Sequence, residues 1–286
     1  MSRYLHFSPH TLHFLKHVQA QLDQLDPGAA PRAFVTPGSP QPREDIIIFA
    51  GSFNPPTIAH IALLKQARQY ARAHEPMHLY AAFNKLTVDK ENVERPLLLE
   101  RILLLQNVLR PRLPHAGILL FNRGLYVEQA EAIRHSFPQV KRIFFLMGFD
   151  KIVQIFDPHY YEDRDAALAD LFKQAQMLVA PRGSAGKQEL EDLLNQPQNR
   201  KFAGYVQALP FSPTYRAIAS SHIRQHSANY LHDVPQEVRQ FMRETRAYAP
   251  PLHRSDGVEI DYYGERAMRL ERQVHQRQAL KREGER

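Results

Sequence analysis

The chain has 286 residues, 43% of them apolar, a net charge of +7, a pI near 9.6 and no cysteine. That length and apolar content can bury a full core as one large α/β domain with appendages or as two small ones, and the missing cysteines exclude disulfides, thiolate ligands and a thiol nucleophile. No apolar run reaches membrane-spanning length and no basic-then-apolar leader opens the chain, so a cytoplasmic protein without membrane association is expected; the positive charge suits an anionic ligand without separating nucleic acid from a small phosphate compound.

In chain order, residues 1–25 predict a helix capped by Ser8 with Pro9 at its first position and an apolar face of Leu12, Phe14, Leu15, Val18 and Leu22. Residues 26–45, with seven Pro or Gly between Pro27 and Pro42, read as a linker holding neither helix nor strand. From Ile46 onward, short apolar runs at 46–50, 77–83, 117–121, 142–147, 176–180 and 203–209 alternate with helical stretches near 58–73, 95–109, 124–136, 163–174 and 187–195. This alternation predicts an α/β fold: a Rossmann-like, doubly wound parallel sheet of five to six strands with helices on both faces. The expected division is a helix and linker over 1–45, the sheet domain over 46–250 and a basic tail over 251–286. Residues 266–286 carry seven Lys or Arg against three Glu and read as a solvated helix or a frayed end.

The stretch Ile46 to His60, IIIFAGSFNPPTIAH, is the most informative. An apolar β-branched run stops at Gly51-Ser52, passes through Asn54-Pro55-Pro56 and reopens as a helix near Thr57, so a strand, a tight loop and a helix N-terminus follow one another. Backbone amides of Gly51, Ser52 and Phe53 and the positive end of the helix dipole then make a phosphate site, with Gly51 allowing close approach. Thr57 and His60, three apart on the first turn, share a face toward the same phosphate. Near the other end of the sheet domain, Ser220 and Ser221 open a helix that they would cap, and with Arg224 they form a second phosphate-facing surface. A strand ending in Gly148-Phe149-Asp150 brings backbone close to a ligand while the Asp150 carboxylate accepts from ribose hydroxyls.

GSFNPPTIAH resembles the Gly-x-Phe-x-Pro-x-His/Thr-x-x-His signature of the nucleotidyltransferase superfamily, and is most similar to nicotinamide and nicotinate mononucleotide adenylyltransferases of the branch with Thr first. IASSHIR at 218–224 is similar to that family's Ile-Ser-Ser-Thr-x-Ile-Arg element, with Ala219 and Ser221 as departures, and Gly148 and Asp150 match its Gly-Ala-Asp. The resemblance implies transfer of AMP from ATP to a mononucleotide, with pyrophosphate release and formation of an NAD-type dinucleotide. It gives catalytic roles to His60, Thr57 and Arg224, a phosphate contact to Lys85 or Lys90, an arginine match at Arg101, and nucleotide contacts to Gly148, Asp150 and Arg182. Family members often stack the pyridine ring on Trp; this chain has none, so Phe83, Phe149, Phe156 or Tyr161 would substitute. Mg²⁺ would be held by phosphates and water rather than by a protein cage, and no pair among the 15 histidines has a carboxylate at zinc-ligand spacing. The resemblance leaves open the amide or acid mononucleotide, a cytidylyl- or other phosphorylated-acceptor transferase, and a homo-oligomer. An inactive nucleotide fold that binds nucleic acid is the alternative from another class, although a nucleic-acid partner is not expected.

Overall fold

The computed structural model describes residues 7–85, 95–226 and 229–283, with side chains through residue 275. α1 (Pro9–Gln24) begins as its sequence dictates, with the Ser8 hydroxyl accepting from the Thr11 amide at 3.1 Å, and it buries Phe14, Leu15, Val18 and Leu22. The segment 26–45, expected to hold no strand, contains β1 (Ala33–Val35), antiparallel to β4 (Gly117–Phe121). Pro31 and Pro37 flank those residues without lying among them, and an edge strand needs a partner on one side alone.

β2 (Glu44–Ala50) lies at the centre, with β3 (Met77–Asn84) and β4 on one side and β5 (Val140–Gly148), β6 (Ala175–Ala180) and β7 (Val206–Ala208) on the other. The order is β1-β4-β3-β2-β5-β6-β7, and every pair from β4 to β7 is parallel. The chain thus builds outward through β3 and β4, then returns to the far side of β2 to lay down β5. This is a Rossmann-like doubly wound sheet, and its reversal opens a crevice at the carboxyl ends of β2 and β5. Strand β7 is shorter than the sequence suggested, because Arg200–Tyr205 coil into a 3-10 turn before it.

Period-two burial divides β2 between two cores. Ile47 and Phe49 pack with α1, α2 (Ile58–Ala73), α3 (Leu98–Arg112) and the C-terminal helices, whereas Ile46 and Ile48 pack with α4 (Tyr126–Ser136) and α6 (Arg164–Gln174). Helix α3 starts after Pro96 rather than at 95, since a residue preceding proline avoids the helical region. Two further helices complete this side: α5 (Phe149–Phe156), which buries Ile152, Ile155 and Phe156 on one face, and α7 (Lys187–Asn195). The sequence reading had passed over α5.

Beyond the sheet come α8 (Ser220–Gln225), α9 (Gln236–Thr245), the hairpin of β8 (Leu252–His253) and β9 (Glu259–Ile260), and α10 (Tyr262–Glu283). The C-terminal segment is not a solvated tail. Tyr263, Leu270 and Val274 are buried, and the Tyr263 hydroxyl donates to Glu100 Oε2 at 2.5 Å and accepts from the Leu97 amide at 2.7 Å. Glu100, itself 1% exposed, also accepts from Arg266 Nε at 2.7 Å, and Asp261 pairs with Arg95. Among the described residues no helix is long and apolar enough to cross a membrane.

Candidate active site

The crevice predicted by the strand order is a cleft of about 740 Å³. Its walls come from the loop after β2, the start of α2, the ends of β5 and β6, and the start of α8, so the segments near residues 55 and 221 meet there. Their contact is direct. Arg224 Nη1 donates to the Asn54 carbonyl at 2.7 Å and Ser220 Oγ to the Pro55 carbonyl at 2.8 Å.

His60 lies on the first turn of α2 and lines the cleft. The Thr57 amide donates to His60 Nδ1 at 2.9 Å, so Nδ1 is the acceptor and the neutral ring carries its proton on Nε2. Phe53 and Phe49 pack edge-on or tilted against the imidazole, at 5.1 and 5.8 Å between centroids, and restrict its orientation. Thr57 was expected to face the phosphate beside His60. It is instead fully buried: its hydroxyl caps α2 by accepting from the His60 amide at 3.2 Å and lies 2.9 Å from His60 Nδ1, so it positions the ring rather than lining the cleft.

The loop after β2 departs from its expected form in two places. The Gly51 amide donates to the Ala82 carbonyl at 3.0 Å and is spent on the sheet, not on a ligand. A Cβ at Gly51 would meet the Phe53 ring at 3.3 Å, so a side chain there would press on the ring beneath the turn, and Gly51 also lines the cleft. Phe53 holds φ at +42°, a left-handed conformation that costs a non-glycine residue roughly 1–2 kcal/mol. Its side chain, 1% exposed, contributes in the opposite direction through burial. Ser52 lines the cleft, and its carbonyl accepts from Arg101 Nη1 at 3.3 Å.

Among the described residues, Lys85, Arg101, Lys151, Arg182, Arg216 and Arg224 line the cleft against one carboxylate, Asp150. Asp150 pairs with Arg182 Nε at 2.7 Å across the ends of β5 and β6, near Gly148. Lys85 Nζ donates to the Leu22 carbonyl at the end of α1, at 2.8 Å, which ties the N-terminal helix to the cleft. Arg101 is not in a solvated ion pair. Its Nε is buried without a protein partner, and burial, aided by the nearby Arg224, lowers its pKa. Desolvated guanidinium groups of like charge favour an anion between them. Ser221 lines the cleft, whereas the N-cap of α8 is Ala219, not a serine, and no side-chain bond caps that helix. Lys90 lies outside the described residues.

The proposed ring-stacking residues separate. Phe83 is buried against Phe53 at 5.2 Å, and Phe156 is buried among Phe172 and Phe202, so neither can stack on a ligand. Tyr161 donates to the Ile155 carbonyl at 2.8 Å and does not line the cleft. Phe149 lines an adjoining pocket of about 450 Å³, largely apolar, with Val179, Leu190, Leu209 and Phe211; Arg216 and Phe211 are shared with the main cleft. Sequence reasoning missed Lys151, Arg216 and Asn54. Arg216 sits in a proline-rich loop without periodicity, and nothing in its local sequence signals its place.

A scan against protein-family models finds no match, and no curated protein matches this sequence. Among solved structures, a chain from Vibrio parahaemolyticus described as "a putative nicotinate-nucleotide adenylyltransferase" is similar at 12% identity, over 70% of this chain and 99% of that one, with a TM-score of 0.39. A likeness of that degree bears on neither activity nor substrate.

Proposed function

We propose that the protein is a nucleotidyltransferase that moves AMP from ATP to nicotinamide or nicotinate mononucleotide, releasing pyrophosphate. The observation that carries this reading is the clasp of Arg224 and Ser220 on Asn54 and Pro55, which joins two segments distant in sequence around one cleft that holds, among the described residues, six cationic side chains and one carboxylate. Such a field suits a triphosphate together with a phosphomonoester. The apolar pocket beside it, walled by Phe149 and Phe211, suits the heteroaromatic base of the nucleotide.

An acceptor phosphomonoester is largely dianionic near neutral pH, its second pKa being about 6, so no general base is needed. One of its oxygens forms a bond to the α-phosphorus while the bond from that phosphorus to the bridging oxygen breaks, and pyrophosphate leaves with the electron pair. The protein's task is then alignment and charge neutralisation. The Nε2–H of His60 would donate to the α- or β-phosphate, Arg101, Arg224 and Lys85 would balance the leaving group, and Asp150 would accept from ribose. Mg²⁺ would enter as the counter-ion of the triphosphate substrate, held by phosphate oxygens and water.

The test is incubation with Mg²⁺, ATP or CTP, and a panel of acceptors including both pyridine mononucleotides and pantetheine phosphate, with pyrophosphate release followed and products identified by mass. A dinucleotide of the NAD type from ATP is expected. Release with another acceptor alone would reassign the substrate, and no release with any pair would overturn the transferase reading.

A further inference from the structure

We propose that Tyr248, outside the cleft, is a positioning residue that holds the phosphate-facing turn through the side chain of Asn54; the proposal rests on the reading of the cleft as a phosphate site. Asn54 is 1% exposed and follows Phe53, whose left-handed backbone stores strain. Three polar groups of Asn54 are engaged by other segments. Its Oδ1 accepts from the Tyr248 hydroxyl at 2.7 Å, its Nδ2 donates to the Arg95 carbonyl at 3.2 Å, and its backbone carbonyl accepts from Arg224. The next carbonyl, Pro55, accepts from Ser220.

Two physical consequences follow. Carbonyl oxygens near an anion site repel phosphate, and here the two of the Asn-Pro turn are each covered by a donor from α8. A short side-chain amide is also the one link that fixes the turn to both the segment leading into α3 and the chain after α9, because it offers an acceptor and a donor on the same carbon. Tyr248 supplies the donor from the latter side. Enclosure of its hydroxyl raises the phenol's pKa, so it remains protonated throughout the neutral range. Removing that hydroxyl leaves the turn with Phe53 still strained and one tether fewer, while the cationic side chains of the cleft stay in place. Turn geometry, not net charge, would then be lost.

Tyr248→Phe tests this in the full-length protein with inorganic tripolyphosphate as the probe, by calorimetry, and with amide hydrogen exchange over residues 51–56. The loss of one enclosed hydrogen bond corresponds to roughly three- to tenfold, so a three- to tenfold weaker tripolyphosphate affinity and faster exchange confined to that turn are expected. Tyr80→Phe, which removes a buried hydroxyl that lies away from the turn and donates to the Pro40 carbonyl at 3.2 Å, serves as control: it should lower the melting temperature and leave tripolyphosphate affinity unchanged. Should Tyr248→Phe not fold, Asn54→Ser severs the same link from the other side and is read by the same assays. A lower melting temperature with unchanged affinity and unchanged exchange at 51–56 would make Tyr248 merely structural and overturn the proposal, as would a wild-type protein with no affinity for tripolyphosphate. Tripolyphosphate binding that weakens in Tyr248→Phe, in a protein that releases no pyrophosphate with any acceptor, would uphold the positioning role and overturn the transferase reading alone.

Discussion

The Thr57 amide donates to Nδ1 of His60 across the first turn of α2, and this one bond fixes which ring nitrogen carries a proton. In a capping box the N-cap amide usually donates to a carboxylate or carboxamide three residues on; here it donates to an imidazole, whose Nε2–H becomes a preorganised donor. His60→Ala is expected to lower kcat by about 10²–10³, the effect of losing one such donor, with a much smaller change in ATP affinity. Steady-state pyrophosphate release checks this, and an unchanged kcat removes His60 from the mechanism.

Thr57→Val separates the cap from the donor. The backbone amide that bonds Nδ1 survives, while the hydroxyl cap of α2 is lost inside a fully buried site. A stability loss of about 1–2 kcal/mol in urea unfolding is expected, with kcat reduced by less than in His60→Ala. Equal losses of kcat in the two variants would show that the hydroxyl is as necessary as the ring and overturn the division between cap and donor.

The Glu100 carboxylate is 1% exposed and relies on Arg266 and Tyr263 from α10. Arg266→Ala leaves a buried charge short of its partner, and a loss of about 3–5 kcal/mol is expected in denaturant unfolding. Combining it with Glu100→Gln should recover most of that loss, since the uncompensated charge is then gone. A double variant no more stable than Arg266→Ala would place the effect in packing instead.

Acid titration reports on the same docking. The side-chain hydrogen bond from Arg95 holds the Asp261 carboxyl below its ordinary pKa. A carboxyl depressed in the folded state contributes stability above its unfolded pKa of about 3.9, and that contribution is lost as pH falls through the folded value. The gap in melting temperature between wild type and Asp261→Asn should therefore be present at neutral pH and narrow below about pH 4. A gap that does not change across that range would show the pair to be uncoupled from folding.

Much of the sheet was legible because strands β2 to β6 are short, mainly apolar runs separated by helix-length segments, and the start of α2 follows from Thr57. The alternation implies a doubly wound sheet, whereas the order of the strands, and with it the place of the crevice, is set by pairing between strands. What escaped was set by tertiary partners. α10 carries few apolar residues among many charges, and only its packing on α1 and α3 shows that Tyr263 and Leu270 belong to the core. Phe83 and Phe156 have the chemistry of stacking residues and lie near strand or helix ends, but neighbours fill the space around them. The close approach of Gly51 to the Phe53 ring depends on the ring's path through a left-handed turn, which no local pattern encodes.

The two borders of the sheet are each three residues long: β7 on one side and, on the other, β1 set antiparallel between Pro31 and Pro37. Borders so short, one of them flanked by imino acids with its Ala33 amide donating to Ser136 Oγ and its Val35 carbonyl accepting from Gln21 Nε2, offer little template for a strand from another molecule. The centre of this protein is a run of isoleucine and phenylalanine that would favour cross-β stacking if laid bare, and the brevity of its margins guards the folded state against that fate.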